Sequence, residues 1–449
     1  MDEITLTEEQ SNVLHQLHDF ATGFMDMDVA TISGYAGTGK TTVVSKLVAA
    51  LDAKVLVSAP TNKAVDVLAG KIPSGTYEAK TIHAALGLRP RKQIDGKTKF
   101  VRDENVKCTL HEYDIAIIDE ASMISDEMLR LILKHRRNCK ILFVGDPAQL
   151  PPVDDSNTIS SVFNPDVVSL RFALKTVVRQ AMDNPVIAYA TLVRTQAEDC
   201  SMPTLATAHA CAGKNDERFI ITSGGDNTLR EWAVGAHQNG LQTRILAYTN
   251  QSIDGHNAAI HNALYPGVPG FAAGEPVVIN DGCEHAWFIG TNTKARLTNG
   301  ELLEVSSCEL AQNPDYPDVP CYVVTFTDGR CVYAPVNRLD HQRKYKRLFD
   351  MASQCKLKAN QSTDGNQERR LNAEARSYSF QAYSLKESFA DISHAYAMTV
   401  HKSQGSTFNT VLFDWTSSMR TMQRQDQRNA AKLLYVAATR ASQNFCIVT

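Results

Sequence analysis

No stretch of the 449-residue chain approaches about eighteen uninterrupted apolar residues, so nothing in it reads as a membrane-spanning helix. The start, MDEITLTEEQ, lacks the basic-then-apolar pattern of a secretory signal, and a cytoplasmic protein is expected. Paired cysteines are missing as well. The ten cysteines are scattered singly, with no CxxC and no Cys/His cluster at zinc spacing, which argues against a zinc finger or a disulfide framework and for reduced, half-buried thiols. Positive charge is not in excess: 46 Lys/Arg against 49 Asp/Glu leave a net charge of −3, so bulk electrostatics announce no polyanionic partner. What remains is a chain with 43% hydrophobic residues, enough for real cores, and long enough for roughly two to four domains.

One short segment names a ligand. In SGYAGTGKTT (33–42), Gly34, Gly37 and Gly39 leave the backbone free of Cβ atoms, so successive N–H groups can turn inward around an anion, and Lys40 and Thr41 follow at once. This is the phosphate-binding pattern GxxxxGK[ST], with Ala36, Thr38 and Thr42 completing the cradle. The run Val29 to Ser33 before it is β-rich and the run from Thr41 to Leu51 is helical, which is the context such a loop requires.

The alternation continues. KVLVSAP (54–60), DIAIIDE (114–120) and KILFVGD (140–146) read as apolar strands, with helices over 62–70 and 125–137 and an amphipathic helix over 6–24. Near-continuous apolar strands separated by helices describe a parallel sheet covered on both faces, with ligands at the carboxyl ends of its strands. A second cycle follows in TRILAYTN (243–250), HAYAMTVHKSQG (394–405), TVLFDW (410–415) and FCIVT (445–449). Between the cycles, 274–339 is rich in short strands with NG and DG turn signals, which predicts a small β-barrel. Residues 341–389 are polar and predicted helical in part, with NQSTDGNQ (360–367) as the loop at the tip.

Two stretches depart from the mean charge. Residues 89–107 hold seven Lys/Arg against three Asp/Glu, and 340–376 hold nine against five. Each suits either a solvated face or nucleic-acid contact. Asp119 and Glu120 end a strand; in a P-loop protein the first acid holds Mg²⁺ beside the Thr41 hydroxyl and the second orients or deprotonates a water. Gln149 in VGDPAQLPPV is placed to sense a γ-phosphate, or is simply a turn residue beside prolines.

Taken in order, GYAGTGKTT, APTNKAV (59–65), TIHAALGL (81–88), IIDEASM (117–123), VGDPAQLPPV (144–153), LKTVVRQ (174–180), VHKSQG (400–405) and YVAATRA (435–441) resemble the motifs of superfamily 1 helicases of the B type, Dda-like and RecD-like. The resemblance spans nearly the whole chain. It implies an α/β fold of two RecA-like P-loop NTPase domains with a β-hairpin pin insertion and an SH3-like β-barrel insertion. The first domain, 1A, would comprise 1–88 and 109–179, the pin 1B 89–108, the second domain 2A 180–273 and 390–449, and the barrel with its helical arm, 2B, 274–389.

The resemblance also implies roles. ATP and Mg²⁺ would sit between the domains, with Lys40, Thr41, Asp119, Glu120 and Gln149 on one side and Arg179 and Arg440 reaching the γ-phosphate from the other. Gln10, in an LTxEQ segment, would recognise adenine; as Thr7-x-x-Gln10 it is equally a capping box, and both readings use the same amide. Single-stranded DNA would be gripped by Pro60, Thr61, Asn62, Thr81 and His83 in one domain and Thr399, His401, Lys402 and Ser403 in the other, with Phe100 of the pin stacking at a fork.

The activity so implied is 5′ to 3′ unwinding of forked DNA by a monomer, with a single-strand-binding protein nearby and host cytoplasm as its place if a phage encodes it. An RNA or RNA–DNA helicase and an ATP-gated clamp that binds without unwinding remain open on the residues alone.

Overall fold

The computed structural model describes residues 5–73, 75–92, 98–102, 106–152, 159–176, 184–212, 216–281, 283–291 and 293–449. It divides into two compact units, one of 1–88, 102–256 and 397–449, the other of 89–101 and 257–396.

The first unit holds two parallel sheets. Strands β1 (Val29–Gly34), β2 (Val55–Ser58), β3 (Tyr77–Ala79), β6 (Ile115–Ile118), β7 (Lys140–Gly145) and β8 (Leu170–Leu174) form the first, in the order β3-β2-β6-β7-β1-β8. Every pairing within it is parallel. The residues of β2 and β6 are all buried, which explains why these strands read as unbroken apolar runs. Leu17 and Phe20 of the helix Glu8–Thr22 and Val44, Leu47 and Val48 of the helix Lys40–Ala50 pack on one face of the sheet. Ile82, Leu110, Leu129 and Ile132 close the other.

The second sheet is also parallel and runs β18-β10-β19-β20-β9, from β9 (Phe219–Thr222), β10 (Thr243–Ala247), β18 (Ala397–Thr399), β19 (Phe408–Asp414) and β20 (Ala441–Val448). The helix Ala430–Thr439, buried along nearly its whole length, lies beside it, and the helix Pro185–Glu198 packs against that helix. Two parallel α/β sheets are what the alternating apolar runs predict.

In the second unit, seven strands pair antiparallel in the order β13-β12-β16-β15-β14-β11-β17: β11 (Pro276–Asp281), β12 (Cys283–Phe288), β13 (Lys294–Leu297), β14 (Leu302–Asn313), β15 (Tyr316–Phe326), β16 (Arg330–Pro335) and β17 (Asp391–His394). The run expected to be rich in short strands is so, and it forms a sheet with β13 and β17 at the two ends of its strand order. Its limit differs from the sequence reading. Residues 391–394, assigned to the second parallel domain, pair with β11 through Val277↔His394 and Ile279↔Ile392 and so belong to the antiparallel sheet. The chain enters the parallel sheet only at Ala397.

The polar arm is a pair of long helices, Arg338–Gln361 and Gly365–Glu387. Phe349, Ala352 and Ala359 of the first and Ala375, Ala382 and Leu385 of the second are buried, and the tip falls inside NQSTDGNQ as expected. The basic stretch forms a two-stranded sheet of β4 (Leu88–Lys92) and β5 (Thr98–Arg102). Phe100 is 41% exposed; the turn-like IDGK (94–97) lies outside the described residues.

Candidate nucleotide site and nucleic-acid surface

The loop between β1 and the helix Lys40–Ala50 turns at two left-handed glycines, Gly37 at φ 80° and Gly39 at φ 81°. A Cβ on Gly39 would lie 2.3 Å from Gln10 Nε2, and one on Gly34 would lie 2.7 Å from Thr38 Oγ1. At Gly34 the added atom would also meet the backbone Leu174 O at 2.9 Å, and at Gly39 the left-handed backbone itself disfavours a side chain. Lys40 folds back over the loop and donates from Nζ to Gly34 O at 2.6 Å and Tyr35 O at 3.0 Å, while Thr38 Oγ1 donates to Tyr35 O at 2.9 Å. Thr41 and Thr42 occupy the first turn of the helix, half-buried. Burial holds Lys40 below its ordinary lysine value, opposed by the charges of Asp146, Asp119 and Glu120.

Gln10 performs the capping role and a second one. Its Oε1 accepts from Thr7 N at 2.9 Å while Gln10 N donates to Thr7 Oγ1 at 3.2 Å. Its Nε2 donates to Thr38 O at 2.9 Å, which ties the first helix to the phosphate loop.

Asp119 and Glu120 follow β6. Asp119 Oδ1 accepts from Glu120 N at 2.8 Å, and Glu120 sits at φ 52°, a left-handed conformation that non-glycine residues seldom adopt. Burial raises Asp119 above the usual carboxylate range; burial and the neighbouring Asp119 charge raise Glu120, opposed by Arg440 and Lys40. Gln149 lies nearby, its Oε1 accepting from Ser122 Oγ at 3.4 Å.

Arg440 ends the helix Ala430–Thr439 and is 8% exposed. Its guanidinium donates to Val436 O, Ser406 O and Thr439 Oγ1 at 3.2, 3.2 and 3.1 Å. Burial lowers its pKa and the charge of Glu120 opposes that, so the arginine of one sheet and the acid of the other share a field. Arg179 lies outside the described residues.

Sequence reasoning missed three residues beside the phosphate loop. Tyr435 donates from its hydroxyl to Asp146 Oδ2 at 2.5 Å and accepts from Ala36 N at 3.1 Å. Lys432 Nζ donates to Pro147 O at 3.4 Å. Arg194 pairs with Asp146 at 3.2 Å and lies 3.9 Å over the Tyr35 ring. The only signal for Arg194 was a single charge inside the apolar run PVIAYATLVR.

The expected grips fall into two groups. Thr61, Thr81 and Thr399 are N-caps, accepting from Ala64 N, Ala84 N and Lys402 N. Asn62 and Lys402 are exposed, and Pro60 is partly so. Burial drives His83 down to about 4, opposed by a hydrogen bond with the Pro60 backbone. His401, lowered by burial, lies 6.0 Å from the Tyr248 ring. Ser403 departs from the expectation: it is wholly buried and donates its hydroxyl to Val400 O at 2.7 Å, so it presents nothing to a phosphate.

The loops from the two sheets meet, since a Cβ on Gly405 would lie 3.5 Å from Ala64 Cβ. Beside them Lys63 and Arg244 both stand over the Phe408 ring, at 5.9 and 5.4 Å. Burial and the Arg244 charge bring Lys63 down to about 8.

Among known proteins, an AAA domain family matches residues 5–210 and a UvrD-like helicase C-terminal domain matches 394–448. The ATP-dependent DNA helicase dda of Enterobacteria phage T4 is 25% identical over 62% of this chain and 63% of its own. The ATP-dependent RecD2 DNA helicase of Deinococcus radiodurans is 33% identical over 40% of this chain and 23% of its own. The matched segments therefore span less than two thirds of either relative. The solved structure of Bacteroides Pif1 helicase in complex with ADP-AlF3 and ssDNA aligns over 99% of this chain and 92% of its own, at 16% identity and TM-score 0.49. An AAA match at one end, a UvrD-like match at the other and relatives of this kind make the chain similar to the Dda- and RecD-like helicases of superfamily 1.

Proposed function

We propose that the chain is an ATP-driven DNA helicase that moves 5′ to 3′ on single-stranded DNA and opens duplex at a fork, working as a monomer. One observation carries the reading: the helix Ala430–Thr439, beside the second sheet, touches the phosphate loop after the first, through Tyr435 and the Ala36 N–H, and ends at Arg440. A nucleotide entering that loop alters contacts made by both sheets at once. The named activity of the phage T4 relative, an ATP-dependent DNA helicase, supports the same reading.

In this mechanism the loop N–H groups and Lys40 take the phosphates, which requires Lys40 to leave the carbonyls of Gly34 and Tyr35. Thr41 and Asp119 offer a hydroxyl and a carboxylate, the donor types that would hold Mg²⁺, and the ion would neutralise charge on the phosphates. Glu120 accepts a proton from the attacking water, a task favoured by its raised pKa. Gln149 orients at the γ-phosphate, and Arg179 and Arg440 stabilise the charge that develops there. Loss of the γ-phosphate then releases the second sheet from the first, and the strand held by Thr61 and Asn62 on one side and His401 and Lys402 on the other is passed along.

Contacts of this kind are made to phosphates and carry no sequence preference, as translocation needs. The β4–β5 hairpin is read as the pin, with Phe100 stacking at the fork, and the antiparallel sheet as the SH3-like insertion.

The test is unwinding of two forks, one with a 5′ tail and one with a 3′ tail, with and without ATP. Opening of the 5′-tailed fork only, and only with ATP, is expected. Preference for the 3′ tail refutes the direction, and equal stimulation of hydrolysis by RNA of the same sequence refutes the restriction to DNA.

A further inference from the structure

The helix Pro185–Glu198 carries one arginine in an apolar run, and that side chain ends against the phosphate loop. Arg194 is 6% exposed. Its Nε and Nη2 donate to Asp146 Oδ1 at 3.3 and 3.2 Å, its Nη1 pairs with Glu198, and its guanidinium lies on Tyr35. Asp146 is wholly buried and gathers further donors: the Tyr435 hydroxyl on Oδ2 and Ala148 N–H on Oδ1 at 3.0 Å. Arg194 thus reaches the loop by two routes, directly at Tyr35 by stacking, and at Ala36 by way of Asp146 and Tyr435.

A guanidinium in this place has an electrostatic task. Phosphates entering the loop approach the Asp146 carboxylate, which acts on Lys40 more strongly than Asp119 or Glu120 does. Left without its cation, a buried Asp146 would repel the incoming anion and compete for the lysine that must greet it. Arginine suits the role because it stays charged when buried and stacks flat on an aromatic ring while its edge donates to a carboxylate.

We infer that Arg194 is a positioning residue of the nucleotide pocket, neutralising Asp146 and holding Tyr35 so that the loop stays receptive to the phosphates of a nucleoside di- or triphosphate. The inference rests on the nucleotide-binding part of the proposed function and not on unwinding.

It is tested by calorimetric titration of ADP with Mg²⁺ into the full chain, comparing the wild type with Arg194→Ala, Arg194→Lys and the double variant Arg194→Ala/Asp146→Asn. Arg194→Ala is expected to weaken ADP at least about tenfold, because it leaves a buried charge unpaired. Arg194→Lys, which restores charge without the planar stack, should fall between that variant and the wild type. The double variant should recover to within about threefold of the wild type, since a neutral amide no longer repels the ligand.

The melting temperature of each variant is read beside the affinity: a residue that merely props up the fold would lower the melting temperature and leave the ADP affinity of the folded chain unchanged. Wild-type affinity in Arg194→Ala, or a double variant as weak as the single one, overturns the inference. If Arg194→Ala does not fold, Arg194→Lys and the double variant still decide. A wild-type chain that binds ADP but opens no fork counts against the helicase reading alone.

Discussion

Replacing Gln10 by glutamate exchanges one NH₂ group for an oxygen and leaves the rest of the side chain in place. The glutamate still accepts from Thr7 N, so the helix cap survives. The bond from Nε2 to Thr38 O disappears, and two oxygens then face each other at a position only 4% exposed. That bond is worth about 1 kcal/mol and an unsatisfied buried acceptor costs about 1–3 kcal/mol, so Gln10→Glu should destabilise the first domain by roughly 2–4 kcal/mol. Gln10→Ala removes both side-chain bonds but buries no opposed oxygens, and should cost about 2 kcal/mol.

Urea unfolding of the first transition measures both values. Glutamate as stable as the wild type would refute the tether to Thr38. The same pair of variants addresses adenine. The second N–H of Nε2 and the second lone pair of Oε1 remain for a base edge, so Gln10→Ala should bring the ATP-to-GTP ratio of kcat/KM toward one. A ratio unchanged from the wild type leaves Gln10 as a structural tie only.

Glu120→Gln should lower DNA-stimulated hydrolysis by about 10²–10⁴-fold with nucleotide binding retained, as expected for loss of a general base; unaltered turnover in a coupled phosphate-release assay contradicts that role. Arg440→Ala should lower kcat by about 10²–10³-fold with little change in ADP affinity, because the charge it answers develops only during transfer. Neutralising Arg89, Arg91 and Lys99 together should flatten the salt dependence of single-strand binding by about 0.7 for each phosphate no longer neutralised, read from log–log plots of affinity against salt; an unchanged slope returns these charges to the solvated face. His83 has a folded pKa near 4, below its unfolded value, so its contribution is complete above about pH 6.5 and is lost as pH falls toward 4. His83→Gln should flatten the fall in melting temperature over that window, and an identical pH profile refutes the assignment.

The phosphate loop, its flanking strand and helix, and the two parallel sheets were legible because each depends on short-range pattern: glycines before a lysine, apolar runs of strand length, turns between. Asp119, Glu120 and Arg440 were legible as motif members. What the pattern left out was decided by tertiary partners. Asp391–His394 is too short and mixed to declare a sheet, and only hydrogen bonds to β11 place it in the antiparallel one. Ser403 reads as a polar residue among polar neighbours, yet its hydroxyl turns back to Val400 O and its side chain is sealed from solvent. Arg194 is the one cation of a largely apolar helix, and its local pairing with Glu198 gives no sign that its buried partner is Asp146, 48 positions earlier. The left-handed backbone at Glu120 is equally silent in sequence, since a glutamate stands where that conformation would favour glycine.

The arm of the second unit has a mechanical consequence. Its two helices approach over alanines, Phe349 and Tyr383 meet edge to face across the seam at 5.0 Å, and 24 residues of helix extend about 36 Å. Its root is set in an apolar patch where Leu385 and Phe389 join Val319 and Cys321 of β15, with Tyr345 and Leu348 packed around them. That is a stiff cantilever with one end built into a wall. A push at the tip bends little along the way and is delivered as torque to the strands at its base.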